Sequence, residues 1–115
     1  MNDLIIIPTR EALLDLYEGD LELLIDVIDV FVETAEGMVD ELARSETPDA
    51  LASAAHSLKG AVVNFGAEKA RARLQQLEEE ARSGDVANTE QSIGEVRTMI
   101  DEVIEALTRI RRDAA

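Results

Sequence analysis

Residues 21–44 read LELLIDVIDVFVETAEGMVDELAR. Leu21, Leu24, Ile28, Phe31, Ala35, Met38 and Leu42 recur at spacings of 3, 4, 3, 4, 3 and 4, which is one continuous face of an α-helix. Ile25, Val27, Val32 and Val39 widen that face, while Glu22, Asp26, Asp29, Glu33, Glu36, Asp40 and Glu41 keep the opposite side wet. Gly37 sits inside the pattern at a cost of about 1 kcal/mol relative to alanine, and its neighbours outvote it. A helix so long and so one-sided must bury its stripe against other helices.

The flanking sequence supplies them. Upstream, residues 1–8 form an apolar lead-in expected to pack over an end of the core. Thr9 is placed to cap a short helix over about 9–18 that shows Leu13, Leu14 and Tyr17; Gly19 can end it and Asp20 can cap the long helix. Downstream, Thr47 serves as an N-cap, Pro48 fits the first helical position and Asp49 favours the positive end of the helix dipole. Leu51, Ala55, Leu58, Val62 and Phe65 then follow the helical period, with Gly66 placed to break or bend it. Ala67, Ala70, Leu74, Leu77 and Ala81 repeat the spacing up to Ser83-Gly84. Asp85 or Thr89 begins a last stripe of Val86, Thr89, Ile93, Val96, Ile100, Val103, Leu107 and Ile110, finishing in Arg109, Arg111 and Arg112.

With no strand alternation and no internal repeat, the expected fold is all-α. It is an antiparallel up-down-up-down four-helix bundle of helices over about 20–44, 48–65, 67–83 and 86–112, with the short extra N-terminal helix, in one domain over 1–115. Composition agrees: hydrophobic residues make up 46% but aromatics only 3%, so the core must be aliphatic. Six glycines and two prolines are too few for a many-turned β sandwich.

Charge narrows the function. Asp and Glu total 25 against 11 Lys and Arg, a net charge of −14, which disfavours nucleic acid and anionic membrane surfaces alike. Zero cysteines exclude disulfides, thiol catalysis and the usual structural zinc site. Leu4-Ile5-Ile6-Ile7 is too short for a signal-peptide core, and no apolar run approaches the roughly 20 residues of a membrane span. The expectation is a soluble, cytoplasmic protein, a monomer; Met1 and a nearly complete bundle favour a free-standing protein.

The only histidine, His56, lies in Ala54-Ala55-His56-Ser57-Leu58-Lys59-Gly60-Ala61-Val62-Val63-Asn64-Phe65-Gly66-Ala67. The helical seam passes through Ala55, Leu58 and Val62, so His56, about 100° round from Ala55, is off it. Its neighbours on the helix are Ala52, Ser53, Lys59, Gly60 and Val63, mostly small, and they let another surface approach. Gly60 in mid-helix is a propensity loss with no local return. Lys59, one turn along, offers a mobile charge with three donors suited to a phosphoryl group or a carboxylate. A lone histidine with a lysine at i+3 is also common on solvated helices. It cannot supply the paired Glu-x-x-His motifs of a di-metal bundle, and Ser53 stands where that glutamate would be, so no metal site is expected.

The run from His56 through Lys59 and Gly60 to Gly66 resembles the H-x-x-K-G-x-x-x-x-x-G signature of histidine-containing phosphotransfer (HPt) domains, with Asn-Phe-Gly-Ala also typical. Val27 to Glu33 resembles the family's acidic, Phe-containing first core helix, and Leu77-Glu78-Glu79 with Gly84-Asp85 its third helix and following turn; about residues 10–112 are covered. The resemblance implies a bundle whose exposed histidine carries phosphate between receiver-domain aspartates in a two-component phosphorelay. By it, His56 is the phosphorylated residue, Lys59 stabilises the phosphoryl group, Gly60 admits the receiver and Gly66 shapes the turn. The chain departs from the pattern where many members carry glutamine: here stands Glu78, with Gln75 one turn earlier. His56 is ten residues before Gly66, about 15 Å down the helix, which brings the following helix level with it at Gln75 to Glu78. An acid there repels phosphohistidine unless it turns away or pairs with Arg82.

The resemblance further implies that response-regulator receiver domains and a sensor or hybrid histidine kinase are the partners, docking over Ala52, Ser53, Gly60, Val63, Gly66 and Gln75. Mg²⁺ is expected on the receiver and no cofactor on this chain. Neither G-x-x-x-x-G-K-[ST] nor G-x-G-x-x-G occurs, so no ATP-dependent kinase activity is expected. The alternative is an HPt-like helical adaptor that docks receivers or other partners without accepting phosphate; a metal-binding or enzymatic bundle comes third.

Overall fold

The computed structural model describes residues 6–114. They form five helices and no strand: α1 (Arg10–Leu16), α2 (Leu21–Arg44), α3 (Pro48–Val63), α4 (Glu68–Arg82) and α5 (Thr89–Ala114). Three of the five helices begin where the capping residues predict: Thr9 accepts from the Ala12 amide at 3.2 Å, Asp20 from Leu23 at 3.0 Å and Thr47 from Ala50 at 3.1 Å.

Helices α2 to α5 close a four-membered ring, each packed on its chain neighbours and α5 returning to α2, with α1 against α2. Ion pairs Asp29–Arg111 and Asp40–Arg97 join α2 to α5 in antiparallel register. Arg73 locks α4 to α5 by donating to Ser92 Oγ and Glu95 Oε1, both at 2.7 Å. Phe31 and Phe65 meet edge to face at 5.2 Å between centroids in the middle of an otherwise aliphatic core. Among the described residues no helix is long and apolar enough to cross a membrane, and no buried side-chain nitrogen or oxygen lacks a hydrogen-bond partner.

The expected limits shift where turns intervene. Helix α1 stops at Leu16 rather than near 18 because Glu18 and Gly19 take φ of 54° and 79°, with the Gly19 amide donating to Leu14 O at 2.7 Å. Helix α3 stops at Val63; Phe65 stays fully buried, but from the turn. Helix α5 begins at Thr89, so Val86, expected on the seam, lies in the preceding loop, 45% exposed, and Ser92 joins the buried face with Arg73 as its partner. In α2 the buried stripe is Leu24, Ile28, Phe31, Ala35, Val39 and Leu42, so Val39 rather than Met38 fills the core. Steps of three or four from Ala35 are both helical, and Met38 instead lines an open groove between α2 and α3.

The apolar lead-in is described from Ile6 onward, and residues 1–5 lie outside the described residues. Ile7 is buried, and Pro8 lies against the α3–α4 turn at Gly66. The Tyr17 hydroxyl donates to the Asn64 carbonyl at 2.8 Å, tying the end of α1 to the same turn.

Candidate functional site

Small residues let α3 pack closely on α4, and the two helices run antiparallel in a register set by two cross-helix pairs, His56 with Glu78 and Lys59 with Gln75. The His56 side chain is 63% exposed, yet its Nδ1 lies 3.2 Å from Glu78 Oε2 and 3.3 Å from Oε1. Lys59, 19% exposed, reaches Glu78 Oε1 at 2.9 Å and donates to Gln75 Oε1 at 2.6 Å. Arg82, one turn beyond Glu78 on α4, donates to Oε2 from Nη2 at 2.8 Å and from Nε at 3.1 Å. Gln75 in turn donates to Glu79 at 2.8 Å.

Glu78 is the centre of this cluster, 8% exposed. Burial pushes its carboxyl up, but hydrogen bonds from Lys59, Arg82 and His56 and the lysine charge outweigh that and bring it from 4.5 down to about 2. Glu78 is therefore ionised at neutral pH and can only accept hydrogen bonds. An acceptor 3.2 Å from Nδ1 requires the hydrogen of a neutral imidazole to sit on Nδ1, which leaves the lone pair on Nε2. The arrangement presents a nucleophilic nitrogen on an exposed ring, with a cation beside it.

The candidate residues fall into three groups. His56 and Lys59 come together on the α4 side of α3, and Ser53, Gly60 and Val63 surround them as exposed surface. A Cβ on Gly60 would meet nothing within 4 Å, so nothing among the described residues requires glycine there. Beside them Met38, Glu41, Ala50, Ser53, Ala54 and Ser57 line an open groove of about 370 Å³ between α2 and α3, in which Glu41 carries the only charge.

Two residues expected at a docking surface do other work. Ala52 is buried: the 56/78 and 59/75 register sets it opposite residues 81–82, where its small side chain lets the helices approach. Gly66 has φ of 61°, and a Cβ there would lie 2.9 Å from Pro8 Cγ, so the turn and the lead-in account for it. Gln75 is half-buried and tethers Lys59.

Glu78 does not turn away from the histidine. It pairs with Arg82, as an acid at that place must, and with Lys59 as well. Its role as the Nδ1 acceptor is what sequence reasoning missed. The usable signal was its place beside Leu77 at the edge of the seam, with Arg82 at i+4. Among the described residues no group of three His, Cys, Asp or Glu could hold a metal ion.

The Hpt domain family model matches residues 13–106. Among solved structures, the chain is similar to histidine-containing phosphotransfer protein B (HptB) from Pseudomonas aeruginosa PAO1, at 24% sequence identity over 96% of this chain and 97% of that one, with a TM-score of 0.85. At that identity the likeness is one of fold. No curated protein sequence matches the chain.

Proposed function

The chain belongs to the Hpt domain family, and from that premise we propose that it passes a phosphoryl group between receiver-domain aspartates in a two-component phosphorelay, through His56. The observation that carries this reading is the exposed His56 ring with Nδ1 held by the buried, ionised Glu78.

In the forward step the Nε2 lone pair attacks the phosphorus of a receiver's aspartyl phosphate. The N–P bond forms as the P–O bond breaks, and that bond's electron pair leaves with the aspartate as a carboxylate. The ring becomes positively charged and keeps its Nδ1 hydrogen, which Glu78 accepts, so the carboxylate sits where positive charge develops. Lys59 supplies positive charge to the phosphoryl oxygens. Transfer onward is the same displacement reversed, with a second receiver's aspartate as nucleophile. Mg²⁺ belongs to the receiver in this scheme, and a sensor or hybrid kinase supplies the phosphate upstream. Ser53, Gly60 and Val63, with the neighbouring groove, form the surface on which a receiver rests.

His56→Gln tests the reading. The variant is expected to fold with wild-type helicity and to take up no acid-labile phosphate from a phosphorylated receiver. Undiminished labelling would show that phosphate goes elsewhere, and a wild-type protein that binds receivers without becoming labelled would be an adaptor.

A further inference from the structure

Glu78 holds two cations at once, Lys59 on Oε1 and Arg82 on Oε2. Lys59 is the one beside His56, and it is already committed, to Glu78 at 2.9 Å and to Gln75 at 2.6 Å. An ammonium has three hydrogens, so one remains. To give a phosphoryl group on Nε2 more than a single contact, Lys59 must release Glu78 or Gln75, and a group with a charge of about −1.5 to −2 competes strongly for it. Were Lys59 the only cation on Glu78, its departure would leave a carboxylate that is 8% exposed without a counter-charge, a state expensive enough to hold the lysine back.

We infer that Arg82 is a positioning residue that keeps Glu78 seated against His56 when Lys59 turns from Glu78 to the phosphoryl group. The guanidinium grips Oε2 through two nitrogens and leaves Oε1 to the lysine. Arg82 comes from the same helix as Glu78, at i+4, so it follows the carboxylate without depending on the α3–α4 contact. Its side chain is 61% exposed. A pair between two exposed groups at this spacing would matter little, but here one partner is buried and carries the Nδ1 contact. This rests on the reading that His56 carries phosphate, and it assigns Arg82 a task in that chemistry rather than in packing.

The test separates the two. Lys59→Ala stands in for the state in which the lysine has turned away. ¹⁵N NMR of the His56 ring in mildly alkaline buffer then reports the tautomer. Lys59→Ala is expected to keep the wild-type Nδ1–H pattern, whereas Lys59→Ala with Arg82→Ala shifts towards the Nε2–H form that imidazole side chains prefer in water. An unchanged Nδ1–H pattern in the double variant overturns the inference, and it does so without any phosphate in the experiment. In phosphoryl uptake from a phosphorylated receiver, Arg82→Ala is expected to slow transfer roughly tenfold, the scale of one charge-assisted hydrogen bond. The same change made on Glu78→Gln should have no further effect, since a neutral amide needs no counter-charge. Equal slowing in both backgrounds also overturns it. If wild-type protein takes up no phosphate on His56, the phosphotransfer reading fails, while the ring-nitrogen result still decides whether Arg82 seats Glu78. Arg82→Lys keeps the charge without the fork and is expected to fall between.

Discussion

Lys59 and Glu78 meet at 2.9 Å across the α3–α4 interface, an ion pair in which the glutamate is 8% exposed. The lysine beside His56 is therefore held by Glu78 and Gln75 together. Two of its three ammonium hydrogens are taken up in this way, and one remains.

That pair makes stability depend on pH in a defined window. Folding lowers the Glu78 carboxyl from 4.5 to about 2. For a lowered pKa the stabilisation is fully present above the unfolded value and disappears as pH falls through the folded one. The expected contribution is on the order of 1–3 kcal/mol once solvent screening is allowed for, lost between about pH 4.5 and 2. Urea unfolding of wild type and Glu78→Gln at a series of pH values should show their difference shrinking by that amount on acidification. A difference that does not move with pH would mean that folding does not lower the Glu78 carboxyl.

Lys59→Ala should slow phosphoryl uptake by roughly ten- to a hundredfold, as expected when one pre-placed donor to a developing charge is removed. Because Arg82 still neutralises Glu78, the stability cost should stay below the roughly 3–5 kcal/mol of an orphaned buried charge. Rapid-quench transfer kinetics and urea unfolding on the same variant check both halves. Wild-type transfer rates would reduce Lys59 to a structural tether.

Gly60 offers a way to part docking from folding. A Cβ there meets nothing within 4 Å, so Gly60→Ala should stabilise the bundle by about 1 kcal/mol through helix propensity alone. Gly60→Gln should also be tolerated by the isolated protein, yet its longer side chain stands on the surface beside His56 and should slow exchange with a receiver. Thermal melts should therefore hold or rise in both variants, while the transfer rate falls in Gly60→Gln. Unimpeded transfer in Gly60→Gln would place the receiver elsewhere.

Gly66→Ala should behave differently. At φ of 61°, with Pro8 Cγ only 2.9 Å from the new methyl group, the substitution should cost about 1–2 kcal/mol from the backbone alone, and more once Pro8 is displaced. Urea unfolding measures the loss. Transfer per folded molecule should be preserved, because the turn conformation and the Pro8 contact account for glycine at this position.

The helices were legible because their causes are local. A 3.6-residue apolar period and side-chain caps such as Asp20 and Thr47 act within a few residues, and the structure places α2 and α3 where those signals stand. Counting along the chain also brought residues 75–78 level with His56, since rise per residue is constant in two helices joined at Gly66. The misreadings arose where a non-local choice intervened. Ala52 shares the His56 side of α3, and only the close approach of α4 makes that position core. Val86 continued the period of the last helix, but the loop leading to Thr89 carries it outside.

From the amino-acid sequence alone came the all-helical bundle, the His56–Lys59 pair on one turn and the family likeness, because all three depend on residue types at fixed short spacings. The tertiary structure alone decided what Glu78 does. Whether a carboxylate near a histidine repels phosphate or positions the ring depends on the direction of its oxygens, on its burial and on which cations reach it, and Lys59 comes to it from another helix. Electrostatic energy depends on distances and local dielectric, which a chain acquires only when its helices are packed.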